Sequence, residues 1–293
     1  MSLPPFEDLQ RRATERRPSV PVAVIGGEDV SLLRALRVAC HHRGWVRPLL
    51  TGRADVIRRL AADNQIDLAD FTLLDIEDPA EAVRAVRAGL ARLLMKGMID
   101  TPALMRAVLD ADHGLRTGRT ICQVVLMEIV QAGRRFLMAD TGICIQPTLD
   151  QKDDILRHTV EVGHRLGLEE VKVAVMAASE KVTEAMPETR DAEELSRRTY
   201  PAAVVQGPLP FDLAYSSFAG EQKRLPGPVV GAADVMLFPN LVSANLTVKA
   251  MMYTANCRFG GVLCGTACPV VFMSRADSTP TRLNSLALAL ALL

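Results

Sequence analysis

Four short segments combine cations, hydroxyls and glycines in patterns that suit an anionic ligand. Arg92-Leu-Leu-Met95 reads as a strand that delivers Lys96 and Gly97, after which Thr101 opens a helix with Pro102 at its first position. A lysine beside a glycine and a helix N-terminus can hold a phosphate, and it can equally be an exposed lysine at a turn. Gly114-Leu-Arg116-Thr117-Gly118-Arg119 offers flexible backbone, guanidinium forks and a hydroxyl, either to wrap a phosphoryl group or as a plain turn with solvated arginines. The strand-like Pro269-Val-Val-Phe-Met273 ends in Ser274-Arg275-Ala276-Asp277-Ser278. There Ser274 can donate a hydrogen bond and Arg275 can grip an anion bidentately, while Asp277 or Ser278 caps the last helix. In Gln206-Gly207-Pro208-Leu209-Pro210-Phe211-Asp212 the acid reads as a helix cap, with a direct ligand role as the alternative.

All four segments follow strand-like runs, where open α/β sheets gather ligands. Val20–Ile25 reads as a buried strand closed by Gly26-Gly27, followed by an Asp29-capped helix whose Leu32, Leu36, Ala39 and Cys40 share a face and which ends near Gly44. Strands at 45–50 and 72–76 and helices at 53–64 and 79–89 repeat the theme. A second series runs through strands at 136–139, 171–176, 204–205 and 234–238 and helices at 150–166, 212–223 and 242–256. Strands at 261–263 and 270–273 precede an apolar C-terminal helix that can pack back onto the first series. The reading is α/β, two doubly wound domains, with 1–135 and 260–293 in one and 136–259 in the other.

A chain of 293 residues has room for about two cores. Lys plus Arg and Asp plus Glu both number 34, so no overall field draws the protein to nucleic acid or an anionic membrane. Aromatic residues at 4% leave little for base stacking. Arg11, Arg12, Arg16 and Arg17 alternate with Glu and Thr, as on a solvated helix face. The N-terminal residues lack the pattern of a signal peptide, and the apolar run 286–293 is far short of a membrane span, so a cytoplasmic location is expected. The six scattered cysteines read as reduced thiols, and with neither a C-x-x-C nor a histidine near Cys264 and Cys268 these two read as buried small hydrophobes, with no metal expected there. Gly26-Gly27-Glu28 is not a dinucleotide fingerprint, and no Walker A string is present.

The four loops in this order, with Asp140 ahead of Pro147-Thr-Leu-Asp-Gln-Lys152 and with Pro239-Asn-Leu-Val-Ser-Ala-Asn245-Leu-Thr-Val-Lys249, resemble the phosphate acetyl/butyryl transferase family, closest to its butyryltransferase branch. The resemblance runs from about Val22 to the C-terminus. It implies an isocitrate/isopropylmalate dehydrogenase-like fold with a cleft between two domains, and a homodimer. It also implies exchange of a short acyl group between coenzyme A, a substrate rather than a cofactor, and inorganic phosphate. Ser274 and Arg275 would then lie at the acyl phosphate and be catalytic, with Lys96 and Arg116 on the phosphate side. Gly97, Thr101, Thr117, Gly118, Gln123, Asp140, Gly207, Asp212, Asn245, Lys249 and Asp277 would be substrate-binding. No metal is then required.

Several family positions are altered. The family's Ser-His-Val is Cys122-Gln123-Val124 here, its Asp-Gly-Pro-Leu turn begins with Gln206, a later Asn is Leu213, and Thr281 stands where the acetyltransferase branch has an aspartate. A homologue that binds coenzyme A or acyl phosphate without efficient turnover is therefore the alternative. A metal-dependent decarboxylating dehydrogenase on the same fold lacks an aspartate cluster and a nicotinamide motif.

Overall fold

A computed structural model describes residues 2–293. They form two compact units: a first of Phe6–Arg119 with Phe259–Leu293, and a second of residues 2–5 with Thr120–Arg258. The chain builds the first with α1 (Phe6–Glu15), β1 (Val20–Ile25), α2 (Val30–Arg37), β2 (Val46–Gly52), α3 (Ala54–Asp63), β3 (Thr72–Asp75), α4 (Pro79–Arg87), β4 (Leu93–Lys96) and α5 (Thr101–Leu109). The second holds β5 (Cys122–Ile129), β6 (Arg134–Ala139), α6 (Leu149–Arg165), β7 (Val171–Met176), α7 (Pro187–Arg197), β8 (Ala203–Leu209), α8 (Phe211–Tyr215), α9 (Ser217–Lys223), β9 (Val235–Leu237) and α10 (Leu241–Thr254). Then β10 (Cys257–Cys264) leads back to the first unit, which β11 (Val270–Val271) and α11 (Thr279–Ala291) complete.

In the first unit the strands run β3-β2-β1-β4-β11-β10, parallel except that β10 opposes β11. β1 is buried along almost its whole length, as a strand covered on both faces must be. Asp29 caps α2 by accepting from the N–H groups of Ser31 and Leu32, and Leu32, Leu33 and Leu36 are buried. After Arg37 the helix widens into a π turn, Val38–His42. In α11 every side chain from Arg282 to Leu290 is buried, and the helix packs on α1 and α2. The last helix thus belongs to the first series, as its apolar run suggests.

The second unit orders its strands β5-β6-β9-β7-β8, parallel apart from the β5–β6 hairpin. That hairpin carries β5 into this unit, so the division falls after Arg119 rather than after residue 135. The run Cys122–Ile129 has mostly apolar neighbours on both sides, a pattern that fits a buried helix as well as a strand. The helix expected over 212–223 is two: Ser216 adopts an extended backbone, ends α8 and caps α9.

Candidate functional site

Lys96 is the last residue of β4, level with Ile25 of β1, and only 3% of it is exposed. The exposed-turn reading of this lysine therefore fails. The chain bends sharply after it, with Gly97 and Met98 donating their N–H groups to the carbonyls of Ile25 at 2.8 Å and Gly26 at 2.7 Å. A Cβ at Gly97 would stand 2.1 Å from the Gly26 carbonyl oxygen, so the close approach requires glycine. Asp100 caps α5 through the Ala103 N–H at 2.6 Å, which makes Thr101 the first helical residue and moves Pro102 one place further in.

β11 lies beside β4 in parallel register, so its following turn emerges at the same end of the sheet as Lys96. Asp277 accepts the Ser274 N–H at 2.8 Å, Ser274 Oγ accepts the Ala276 N–H at 3.3 Å, and Ser278 caps α11. The turn is thereby fixed from beneath while Ser274 and Arg275 face outward, exposed. One helical turn on, Arg282 is buried and forms a 2.6 Å ion pair with Asp29, with further bonds to Ser31 Oγ at 2.9 Å and the Asp277 carbonyl at 3.3 Å. Burial, then Arg275, then Arg282 push the Lys96 ammonium below the usual lysine range, against Asp277 and Asp100. The structure thus gathers Lys96, Gly97, Thr101, Ser274, Arg275 and Asp277 around one end of β4 and β11. It adds Arg282, which the sequence signals only as a lone cation in an apolar helix.

Arg116, Thr117 and Gly118 lie elsewhere, a correction to the expected phosphate-side grouping. Arg116 forms a β-bridge with Thr266, and the Thr117 hydroxyl donates to the Gly265 carbonyl at 2.7 Å, so this loop is tied to the segment between the end of β10 and the start of β11. That is the amino end of β4 and β11, opposite Lys96. There Arg116 lines a cavity of about 540 Å³ with Arg87, Arg92 and Cys268. Gly118, at φ 83°, has the positive backbone angle that the loop's reversal uses. Burial pushes the Cys268 thiol up to about 12.

In the second unit Asp140 follows β6 and is almost fully buried. Its carboxylate accepts four backbone N–H groups: Gln123 at 2.8 Å, Gly142 at 3.0 Å, Ile143 at 3.3 Å and Cys144 at 2.5 Å. Burial raises its pKa, and those four bonds oppose the rise. The Cys144 thiol is pushed up to about 12, first by burial and then by Asp140. The Gln123 side chain accepts from the Thr141 hydroxyl at 3.0 Å, and Asn245 of α10 donates to the Thr141 carbonyl at 3.2 Å. Asp140, Gln123 and Asn245 therefore meet around one loop. Lys152 is buried and paired with Asp191 at 2.7 Å.

The other expected positions of this unit lie apart. Gly207 is inside β8, where a Cβ would come 2.8 Å from Val175. Asp212 is not a cap, since α8 begins after Pro210; it is the second helical residue and pairs with Lys223 at 2.8 Å. Lys249 is exposed on α10, in a stripe with Val242, Leu246 and Tyr253. The altered Gln206 holds its own loop: its amide donates to the Pro226 carbonyl at 3.2 Å and accepts from the Val229 N–H at 3.3 Å. Leu213 is fully buried.

Residues 80–290 match the family model described as "Phosphate acetyl/butaryl transferase". A phosphate butyryltransferase of Clostridium acetobutylicum is 37% identical over 92% of this chain and 91% of its own length. A phosphate acetyltransferase of Rickettsia felis is 36% identical over 97% of this chain and 83% of its own. Among solved structures, a branched-chain phosphotransacylase from Enterococcus faecalis superposes with a TM-score of 0.83 at 29% identity, covering 93% of this chain and 98% of that one. With matches over most of its length, this chain belongs to the phosphate acetyl/butyryl transferase family.

Proposed function

We infer that the chain is a phosphate acyltransferase that exchanges a short acyl group between coenzyme A and inorganic phosphate. The observation that carries the reading is the cationic end of β4 and β11, where the buried Lys96 feels the charge of Arg275, which adjoins the exposed Ser274, in a chain of this family. In the direction of acyl-CoA formation the thiolate sulfur attacks the acyl phosphate carbonyl, the carbon–sulfur bond forms, and phosphate departs with the electron pair of the breaking carbon–oxygen bond. Arg275 and Ser274 would stabilise the tetrahedral oxyanion and the leaving phosphate, while Lys96 adds charge from a low-dielectric position where it counts for more.

The arginine-lined cavity at the other end of β4 suits the phosphates of the coenzyme. Arg92 lies four positions before Lys96, roughly 13 Å of strand at about 3.3 Å per residue, and coenzyme A likewise carries its phosphates far from its thiol. Asp140 would act by shaping the loop 140–144 rather than by touching substrate, since its lone pairs are already taken by backbone N–H groups. The exposed stripe Val242, Leu246, Lys249 and Tyr253 on α10 would seat a second copy of the chain, giving a homodimer. No helix among the described residues is long and apolar enough to cross a membrane, and a cytoplasmic enzyme is the reading we adopt.

Nothing favours a binding protein without turnover: Gln123 and Gln206 are both hydrogen-bonded, and Leu213 is packed in the core. Incubation with acetyl-, propionyl- or butyryl-CoA plus phosphate should release free thiol, and arsenate should drive the reaction to completion. Absence of thiol release from all three, with either oxyanion, would remove the reading.

A further inference from the structure

Away from every group used above, Cys40 and His41 lie in the π turn that ends α2, and Asp70 lies just before β3. All three therefore sit at the amino ends of β2 and β3, across the sheet from Lys96. His41 Nδ1 is 3.1 Å from Asp70 Oδ2, and the thiol, imidazole and carboxylate ligand atoms all fall within 4.8 Å of one another. His41 Nε2 is buried with no hydrogen-bond partner among the described residues, and Nδ1 is the nitrogen that faces Asp70.

Consecutive residues of an α-helix point about 100° apart and do not face a common neighbour. The π turn reduces that angle, and such insertions are often found at functional positions. We propose that Cys40, His41 and Asp70 form a three-ligand site for Zn²⁺, with water completing a tetrahedron, that clamps the end of α2 to the segment leading into β3. Zinc takes sulfur, nitrogen and oxygen ligands at about 2.0–2.3 Å, which separates adjacent ligand atoms by roughly 3.3–3.8 Å. The present spacing needs only small side-chain adjustment to reach that. On binding, the Cys40 sulfur–hydrogen bond is exchanged for a sulfur–metal bond and the proton goes to solvent.

Co²⁺ titration of the full-length protein reads this directly. One equivalent should produce tetrahedral visible bands and a thiolate-to-cobalt charge-transfer band; Cys40→Ser should abolish the latter, Asp70→Asn should weaken affinity about 10-fold or more, and Cys257→Ser should change neither. Zn²⁺ should raise the Tm of the wild type and of Cys257→Ser but not of Cys40→Ser, while acyl transfer proceeds equally in all. A titration with no thiolate band, or a band that survives in Cys40→Ser, overturns the site.

Discussion

In the first unit a buried charge is held by side chains from distant segments: Arg282 of α11 reaches Asp29, which itself caps α2, and Asp277 locks the turn that carries Ser274 and Arg275. In the second unit the buried Asp140 is held by backbone, three of its four N–H donors coming from the four residues that follow it. In the first arrangement Lys96 and Arg275 have no salt-bridge partner among the described residues, and Arg275 is near enough to lower the Lys96 pKa, an arrangement suited to an anion. The second saturates its carboxylate and yields a rigid loop. Charge in one unit is available to a ligand, and in the other it is used up by the fold.

Cutting the pair that supports the first site should have the largest effect. Asp29→Ala strands Arg282 in the interior and removes the α2 cap, so a loss of about 3–5 kcal/mol is expected in urea unfolding. A loss under 1 kcal/mol would mean that the pair does not organise this end of the sheet. Next, Arg275→Ala should lower kcat/KM by ~100-fold or more with the Tm unchanged, and Arg275→Lys should restore only part, because an ammonium lacks the planar fork. Near wild-type kinetics in Arg275→Ala would take the transfer chemistry away from this turn.

The second unit should respond in stability first. Asp140→Asn turns an acceptor into a donor facing a backbone N–H, so about 1–3 kcal/mol should be lost, and any change in kcat/KM should follow from the loosened loop. A variant as stable as the wild type but inactive would instead make Asp140 a substrate ligand and erase the contrast.

The smallest effect concerns Lys96, whose charged form is disfavoured in the folded state. Folding then releases a proton between its depressed pKa and the ordinary lysine value of about 10.4, so the stability penalty of Lys96 shrinks as pH rises through that window. Lys96→Met should be as stable as the wild type or slightly more so near neutrality, with the difference narrowing toward high pH, while acyl transfer falls. Chemical unfolding at several pH values tests the sign; a difference that widens with pH contradicts it.

Much of the fold could be read from the sequence, because strand and helix periodicity is local. β1 and β7 begin and end where the apolar runs do, Asp29 and Ser278 cap the helices expected of them, and the Lys96 and Ser274 loops follow strands as read. The failures lie where local pattern is ambiguous. Cys122–Ile129 carries apolar residues at both periods, and strand pairing, with β6 among its neighbours, makes it a strand. Asp212 looks like a cap, but Pro210 occupies the cap position and Lys223 pairs with the acid.

What only the tertiary structure decided is which loops share an end of the sheet. Lys96 and Arg116 are 20 positions apart and look equally suited to phosphate, yet β4 runs between an arginine-lined end and a lysine-bearing end, and the ties from Arg116 and Thr117 to Thr266 and Gly265 assign their loop to the former. The Arg282–Asp29 pair spans 253 positions and is equally invisible in a local window. Periodicity reports which face of an element is buried, whereas strand direction and long-range pairing determine which side chains meet. The first is written residue by residue in the sequence, and the second exists only once the sheet has formed.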